Sequence, residues 1–330
     1  MPAERGQRSM NHAENPGKAA IIGCGHVGAS IAFSLIQTAL FSELVLIDAD
    51  ARRAQGEAMD LSHGLPYGAT MRIRAGDYGD VGDCALIIVT AGANQKEGET
   101  RLDLIGKNLR ILASIVRSLR ATPFAGILLI VSNPVDILTY EAQRLSGYPA
   151  ARVIGSGTVL DSARLKQLLG ERLRVDSRSV HAVVIGEHGD SELAVFSGAN
   201  VSGIDLAHCF ALRGQPDCAP LLAQIEEDVR TSAYAIIERK GATYYGIAMA
   251  VARIAAAIVR DERAVLPVST ALSGEYGLRG LALSIPSVVG RQGVEDVLEI
   301  PLDTSERQRL LDSAAQLREV LDSLEAPPLS

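Results

Sequence analysis

The chain lacks several features that mark particular classes of protein. Its 330 residues include no tryptophan, and aromatic residues make up only 4% of them. Proteins that bind single-stranded nucleic acid stack the bases on aromatic side chains. The net charge of −7 also disfavours binding to many phosphates, which requires clustered Lys and Arg. We therefore expect no nucleic-acid partner.

Cysteine pairs and long apolar segments are scarce as well. The four cysteines contain no C-x-x-C pair, so they predict buried thiols in a reducing compartment rather than a disulfide framework. The longest apolar stretch, Ala248 to Val259, contains Arg253 and is too short to cross a bilayer. Residues 1–17 lack the apolar core of a secretory signal and are interpreted as a flexible tail. These features predict a cytoplasmic protein with no membrane partner.

The distribution of apolar residues predicts the fold. In the first half, short runs rich in Ile, Val and Leu alternate with amphipathic stretches, which is typical of parallel strands covered by helices. The predicted strands are Ala19–Gly23, Leu44–Asp48, Met71–Ala75, Ala85–Thr90 and Ile127–Ser132, and the predicted helices are Val27–Phe41, Ala49–Asp60 and Leu102–Arg120. We predict an α/β protein with a Rossmann-type, doubly wound parallel sheet over residues 18–155.

The second half has a mixed pattern of helices and strands. Its predicted helices are Leu160–Gly170, Leu221–Lys240, Tyr244–Arg260 and Thr304–Leu324, and its predicted strands are Ser179–Gly186, Ala264–Leu272 and Leu281–Val289. Because the strands no longer alternate regularly with helices, we predict a separate α+β domain over residues 156–330 that carries the substrate site.

A glycine-rich turn follows the first predicted strand. Gly23, Gly25 and Gly28 form G-x-G-x-x-G at the start of the first helix, where backbone N–H groups and the helix dipole favour a pyrophosphate. Asp48 ends the second strand 20 residues later, where a carboxylate accepts bonds from ribose hydroxyls and repels a 2′-phosphate. Together they predict NAD as the cofactor. The alternative is that Asp48 is only the N-cap of the next helix.

Four polar segments lie where loops should leave strands or helices. They are the loop Gln95–Arg101, the segment Asn133–Asp136, the helical pair Asp161 and Arg164, and the glycine-flanked His188. Reduction of a keto acid needs a hydride donor, a proton donor near neutral pH and a cation for the carboxylate. Taken singly, each segment has a plain structural alternative: an inert loop, an intrahelical ion pair or a turn histidine.

Longer motifs extend this pattern through most of the chain. They read GCGHVGAS, AGANQKEGETRLDLIGKN, VSNPVDILTY, VIGSGTVLDSARL, IGEHGDSE and KGATYYGIA. In these motifs, their order and their spacing, the sequence resembles the L-lactate dehydrogenases of the lactate/malate dehydrogenase superfamily over residues 18–322. The resemblance implies reversible, NADH-dependent reduction of pyruvate to L-lactate.

The resemblance also implies the roles of individual residues. His188 is expected to be the acid/base, Asp161 to orient it, Arg164 to bind the substrate carboxylate and Arg101 to polarise the carbonyl from a closing loop. Further positions match those that contact substrate, namely Gln95, Asn133 and Thr243. Positions expected around NAD, besides the three glycines and Asp48, are Val27, Arg53, Tyr78, Gly92, Ala93, Ser114, Val131, Asn133 and Ser156.

Gln95 is expected to decide between substrates. Similar malate dehydrogenases carry Arg at the matching position, where it pairs with a second carboxylate. A neutral Gln would leave that charge unpaired, which favours pyruvate over oxaloacetate. Two alternatives stay open: a malate or broad 2-hydroxy-acid dehydrogenase, and a catalytically silent structural protein that kept the NAD fold.

Control and assembly are also expected from the resemblance. Many bacterial relatives bind fructose 1,6-bisphosphate between subunits through an Arg and a His; His181 matches the latter, while Lys166 replaces the Arg and loses its bidentate geometry. Both residues are equally well explained as ordinary surface residues. Relatives are usually homotetramers. No metal site is predicted, because the six histidines form no H-E-x-x-H motif.

Overall fold

The computed structural model describes residues 17–68, 70–93 and 101–324, with the exception of the Arg101 side chain. Twelve strands lie within these ranges: β1 Lys18–Ile22, β2 Glu43–Ile47, β3 Arg72–Ala75, β4 Cys84–Val89, β5 Ile127–Ile130, β6 Val153–Gly155, β7 Val180–Ile185, β8 Leu193–Val201, β9 Ile204–Asp205, β10 Ala264–Ser273, β11 Arg279–Gly290 and β12 Gly293–Val297. The α-helices described are α1 His26–Thr38, α2 Ala51–Gly64, α3 Arg101–Arg120, α4 Val135–Ser146, α5 Val159–Leu173, α6 Leu206–Leu212, α7 Ala219–Lys240, α8 Tyr245–Val259 and α9 Thr304–Ser323.

The predicted parallel sheet is present. Strands β3, β2, β1, β4, β5 and β6 lie side by side in that order and pair in parallel. The central strands are apolar and almost completely buried, because helices cover both faces of the sheet. The carboxyl ends of these strands therefore meet along one edge, where open α/β sheets bind their ligands.

The second half shares this sheet. Strand β10 pairs antiparallel with β6 through Ser269 and Gly155, and β11 and β12 follow, so that the main sheet has nine strands within the described ranges. Strands β7, β8 and β9 form a separate antiparallel sheet. The predicted division near Gly155 thus crosses a continuous sheet, and the two-domain arrangement stays a prediction.

Several elements were not predicted, namely β6, β8, β9, β12, α4 and α6, and helix α2 begins later than predicted. Helix α4 was not predicted because nine of its twelve residues are buried, which removes the polar face that marks an amphipathic helix. Helix α2 begins at Ala51 rather than at Ala49. Asp50 is its N-cap and accepts hydrogen bonds from the N–H groups of Arg52 and Arg53. Asp48 is therefore not the cap, and the structural alternative for that residue is wrong.

Close packing of α1 on β1 depends on Gly28. A Cβ atom at this position would lie 1.9 Å from the carbonyl oxygen of Gly23. Gly23 itself has φ of +105°, in the left-handed region, and a Cβ there would lie 2.5 Å from the nitrogen of Ala91. Both glycines are needed for the turn to form.

Substitution of Gly28 by Ala should lower the free energy of unfolding. The added methyl must displace backbone, and overpacking of this kind costs about 1–3 kcal/mol. Urea unfolding followed by circular dichroism measures the change. The control is Gly56→Ala in α2, where a Cβ meets no atom within 4 Å, so that only a gain in helix propensity is expected. A Gly28→Ala protein as stable as wild type would contradict the described packing.

Candidate active site

The turn between β1 and α1 leaves room for an anion. At Gly25 a Cβ would meet no atom within 4 Å, so open space lies beside the backbone there. Helix α1 begins directly after this residue, and no side chain caps its N-terminus. Backbone N–H groups and the positive end of the helix dipole therefore border the open space. This arrangement fits the pyrophosphate of a dinucleotide.

Asp48 is fixed next to the same turn. Its Oδ2 accepts a hydrogen bond from the N–H of Cys24 at 2.6 Å, and its Oδ1 accepts one from the N–H of Asp50 at 2.9 Å. Each oxygen keeps a second lone pair for a further donor. The carboxylate is thus oriented by backbone of the glycine-rich turn and can still accept bonds from a ribose diol.

A cavity of about 540 Å³ opens at the carboxyl edge of the parallel strands. The predicted site residues that line it are Val27, Gly92, Ala93, Val131, Asn133, Asp161, Arg164 and His188. Four further cofactor candidates do not line this cavity. Ser156 is buried, Tyr78 is half-buried, and Arg53 and Ser114 are exposed on α2 and α3. The turn between α7 and α8 holds Thr243, which is half-buried. The fold therefore brings residues from both halves of the chain together around this cavity.

Two predicted residues cannot be placed. Gln95 lies outside the described residues, as does most of the predicted closing loop. Arg101 begins α3, but its side chain is not among those described. Their expected roles therefore stay predictions.

Asp161 joins the two central polar groups of the cavity. It lies in the first turn of α5, is 1% exposed, and accepts one hydrogen bond on each oxygen. Oδ2 is 2.7 Å from Nδ1 of His188, and Oδ1 is 2.7 Å from a terminal nitrogen of Arg164. Because Nδ1 is engaged in this bond, Nε2 is the nitrogen of His188 that remains for a substrate.

The charges of this group are strongly coupled. Burial by itself lowers the pKa of His188. Attraction to the carboxylates of Asp161, Glu192 and Asp136 outweighs burial and raises the pKa to about 9. Burial likewise opposes ionisation of Asp161, yet His188 and Arg164 hold the pKa of that carboxyl below its usual value. The imidazole is therefore protonated at neutral pH and can act as a proton donor.

The backbone of His188 is held by Asp136, the last residue of the predicted polar segment Asn133–Asp136, to which the sequence assigned no individual role. Asp136 is 1% exposed, and its Oδ2 accepts a hydrogen bond from the N–H of His188 at 2.7 Å. Its Oδ1 accepts bonds from the hydroxyls of Ser269 at 2.6 Å and Ser284 at 3.4 Å. Burial raises the pKa of Asp136 to about 6. This carboxyl connects the histidine turn to α4, β10 and β11.

A second anchor of the same turn comes from α9. The hydroxyl of Ser313, on α9, accepts a hydrogen bond from the N–H of Glu187 at 3.1 Å. The hydroxyl of Ser191 bonds to Glu187 at 2.5 Å and lies 2.9 Å from that of Ser313. The turn that presents His188 is therefore fixed at several points along its length.

Asn108 is a further residue that the sequence did not single out. It is buried on α3, accepts a hydrogen bond from the N–H of Ala93 at 2.7 Å, and donates one to the carbonyl of Asn133 at 2.9 Å. One amide thus ties the loop after β4 to the loop after β5. An isolated polar residue on the apolar face of α3 was the signal that could have identified it.

Replacing Asp136 by Asn should remove a pH dependence of stability. The carboxyl binds its proton more tightly when folded, so it stabilises the wild type at low pH, and this contribution is lost as the pH rises from about 4 to about 6. A pKa raised from the ordinary aspartate value to about 6 corresponds to about 3 kcal/mol. Asn keeps an oxygen for the His188 N–H and offers its amide to Ser269, so the fold should persist.

The measurement is urea unfolding of both proteins at several pH values between about 4 and 7. Relative to Asp136→Asn, the wild type should lose stability across this interval. Asp60→Asn, at an exposed position on α2, serves as the control for an equal change of charge. Parallel pH curves for wild type and Asp136→Asn would show that the buried carboxyl does not titrate in this way.

Comparison with known proteins agrees with this geometry. Residues 17–155 match the family of lactate/malate dehydrogenase NAD-binding domains, and residues 158–327 match the family of lactate/malate dehydrogenase α/β C-terminal domains. NAD(H) is therefore the cofactor of this protein. Within the described ranges, no helix combines the length and the apolar character that a membrane span requires.

Individual relatives resemble nearly the whole chain. L-lactate dehydrogenase 1 of Clostridium acetobutylicum is 48% identical over 308 residues, which cover 93% of this chain and 98% of the relative. The L-lactate dehydrogenase of Acetivibrio thermocellus is 46% identical and covers 96% of this chain and 100% of the relative. The ligand-bound crystal structure of minor L-lactate dehydrogenase from Enterococcus mundtii superposes with a TM-score of 0.91 at 42% identity, covering 94% and 99% of the two chains. The chain belongs to the lactate/malate dehydrogenase family.

Proposed function

We propose that this protein is an L-lactate dehydrogenase, an NAD-dependent oxidoreductase that reversibly reduces pyruvate to L-lactate. The observation that carries the proposal is the buried contact of Asp161 with both His188 and Arg164 on one wall of the cavity. His188 would serve as the proton donor and Arg164 as the group that binds the carboxylate, in a cavity that Val27 of the glycine-rich motif also lines. The same residues serve the oxidation of L-lactate, with His188 then acting as the base.

Arg164 would bind the substrate carboxylate, and His188 would donate the proton. The guanidinium of Arg164 offers several N–H donors, of which one is used by Asp161, so it can still bind the substrate carboxylate. NADH, when bound, supplies the hydride that adds to the carbonyl carbon. His188 gives the proton on Nε2 to the carbonyl oxygen, which becomes the hydroxyl of lactate. Asp161 stabilises the imidazolium before this transfer and fixes the orientation of the ring.

Several residues complete the proposed site. Arg101 would polarise the carbonyl, and closure of the loop that carries it and Gln95 would exclude water. Asn133 and Thr243 would contact the substrate. The cofactor would be surrounded by the residues expected from the sequence, namely Gly23, Gly25, Val27, Gly28, Asp48, Arg53, Tyr78, Gly92, Ala93, Ser114, Val131, Asn133 and Ser156.

We also propose a homotetramer. Phe33 on α1 and Tyr245 and Met249 on α8 are exposed apolar side chains on two helices that pack together. Burial of such a surface against a second copy of the chain is favourable. Light scattering should give the mass of four chains, and a stable monomer would refute the proposal.

A cytoplasmic location is supported by the four free cysteines, three of which are buried.

Fructose 1,6-bisphosphate remains a proposed effector. Lys166 is half-buried on α5, and burial together with the adjacent Arg253 lowers its pKa. His181 is exposed on β7, the strand against which α5 packs. Lys166, Arg253 and His181 would supply the cationic and hydrogen-bonding groups that a sugar bisphosphate needs.

The decisive experiment is NADH oxidation with pyruvate and oxaloacetate side by side, each with and without millimolar fructose 1,6-bisphosphate. Pyruvate should have the higher kcat/KM, because oxaloacetate would bury a carboxylate without a partner, at a cost of about 3–5 kcal/mol or roughly 10² to 10⁴ in rate preference. His188→Asn is the control and should lose about 10²- to 10⁴-fold in kcat. Preference for oxaloacetate indicates a malate dehydrogenase, and no turnover indicates a silent protein. Unchanged pyruvate saturation with the bisphosphate excludes the effector.

The same assay tests the role of Gln95. Gln95→Arg introduces a cation for the second carboxylate and should shift preference toward oxaloacetate. Gln95→Met, which has a similar volume and no charge, is the matched control and should not favour oxaloacetate. Equal preference in the wild type and in Gln95→Arg would exclude Gln95 as the residue that selects the substrate.

A further inference from the structure

The cavity contains a carboxyl group that the proposed reaction leaves without a role. Glu192 follows the histidine turn, is only 6% exposed, and lines the cavity with Asp161, Arg164 and Arg230. Its Oε2 lies 4.0 Å from Nδ1 of His188. One polar side-chain atom from each of Asp161, His188 and Glu192 lies within 4.8 Å of the others. Glu192 is therefore close enough to affect both the acid/base and the substrate charge.

Glu192 differs from Asp161 in its hydrogen bonds. Asp161 accepts one bond on each oxygen. Across the part of the chain that the structure describes, Glu192 forms a hydrogen bond through its backbone N–H, to the carbonyl of Gly189, and none through its carboxyl. Arg230 faces the same cavity but forms a close ion pair with Glu227. A largely buried carboxylate that faces a cavity, has no hydrogen bond from these residues and lies next to a second carboxylate is disfavoured as an anion.

Charged groups from several elements surround this carboxyl. Asp161 and Arg164 face it from α5, His188 from the turn after β7, and Arg230 from α7, while Asp190 lines the same cavity. Asp136 of α4 also acts on His188. Burial is the largest influence on Glu192, and with the repulsion from Asp161 it raises the pKa to about 8, against the attraction of the cations.

We propose that Glu192 is held as a neutral carboxylic acid when the substrate binds, and that its ionisation weakens the binding of an anionic substrate at Arg164. This inference rests on the proposed function, because it assumes a 2-oxo acid carboxylate in the cavity. An ionised Glu192 adds a negative charge beside Asp161, in surroundings where the low dielectric strengthens repulsion. The neutral acid avoids this repulsion and leaves the full attraction of Arg164 to the substrate.

Ionisation of Glu192 also affects the proton on His188. The carboxylate attracts the imidazolium, so it makes His188 harder to deprotonate. The two groups therefore titrate as a coupled pair, and both protons must be lost to reach the fully deprotonated cavity. Substrate binding and proton donation are both best in the form that carries both protons.

The test is the pH dependence of kcat/KM for pyruvate reduction in wild type and Glu192→Gln. Gln has nearly the same shape as the neutral acid and cannot ionise. On the alkaline side, log kcat/KM should approach a slope of −2 against pH in the wild type and −1 in the variant. The single alkaline pKa of the variant belongs to His188 and should lie about one unit below the upper of the two wild-type pKa values, a tenfold change in proton affinity, because His188 loses an attractive charge. Glu238→Gln, at an exposed position on α7, is the control and should retain the wild-type slope.

A second measurement does not depend on turnover. In infrared difference spectra at about pH 7, wild type should show the C=O band of a protonated carboxylic acid that Glu192→Gln lacks. In the wild type alone, this band should disappear as the pH is raised from about 7 to about 10. Thermal unfolding checks that Glu192→Gln is folded. If the variant does not fold, the infrared titration of the wild type decides whether a carboxylic acid is present and ionises between about pH 7 and 10.

Equal alkaline slopes in wild type and Glu192→Gln, or no carboxylic acid band in the wild type, would overturn the inference. A failure of the proposed function gives a different result. In that case neither protein reduces pyruvate, and the infrared titration still reports whether Glu192 is protonated.

Discussion

The site depends on one interaction, the hydrogen-bonded ion pair of Asp161 and His188. Asp161 is almost completely buried, and its charge is acceptable there only because His188 and Arg164 each bond to one of its oxygens. The same contact raises the pKa of the imidazole and leaves Nε2 available for another partner. The stability of the Asp161 charge, the orientation of the His188 ring and the proton on that ring therefore all depend on this ion pair.

The surrounding structure keeps this ion pair in place through the backbone of the histidine turn. Gly186 forms two hydrogen bonds with Ser284 of β11, while Asp136 and Ser313 hold the next two N–H groups from α4 and α9. These anchors come from distant parts of the sequence. Preorganisation of this kind reduces the reorganisation that the protein must undergo when charge moves during the reaction.

Much of the fold could be predicted because its signals are local. Continuous apolar runs identified the central strands, and glycine spacing identified the turn between β1 and α1. The cluster of Asp161, Arg164 and His188 was predicted from residue type and from the family resemblance. No local sequence pattern shows that residues 161 and 188 are in contact. The short strand β6 and the mostly buried helix α4 were not predicted, because neither has a periodic polar face.

The residues to which sequence reasoning assigned no individual role act through position. Asn108, Asp136 and Glu192 are polar groups on buried surfaces, and their importance follows from what they face in three dimensions. Asn108 joins two loops, Asp136 holds the histidine backbone, and Glu192 adds a carboxyl beside His188. A sequence shows such residues only as exceptions to an apolar pattern, without their partners.

The antiparallel join between β6 and β10 has a consequence for how the chain can be divided. Cutting the polypeptide after Gly155 would leave β6 with an open edge on one fragment and β10 with an open edge on the other. Unprotected edges of buried, apolar strands pair readily with other chains and cause aggregation. The two halves are therefore poor candidates for separate expression or for exchange as modules in chimaeras, unless both new edges are first redesigned.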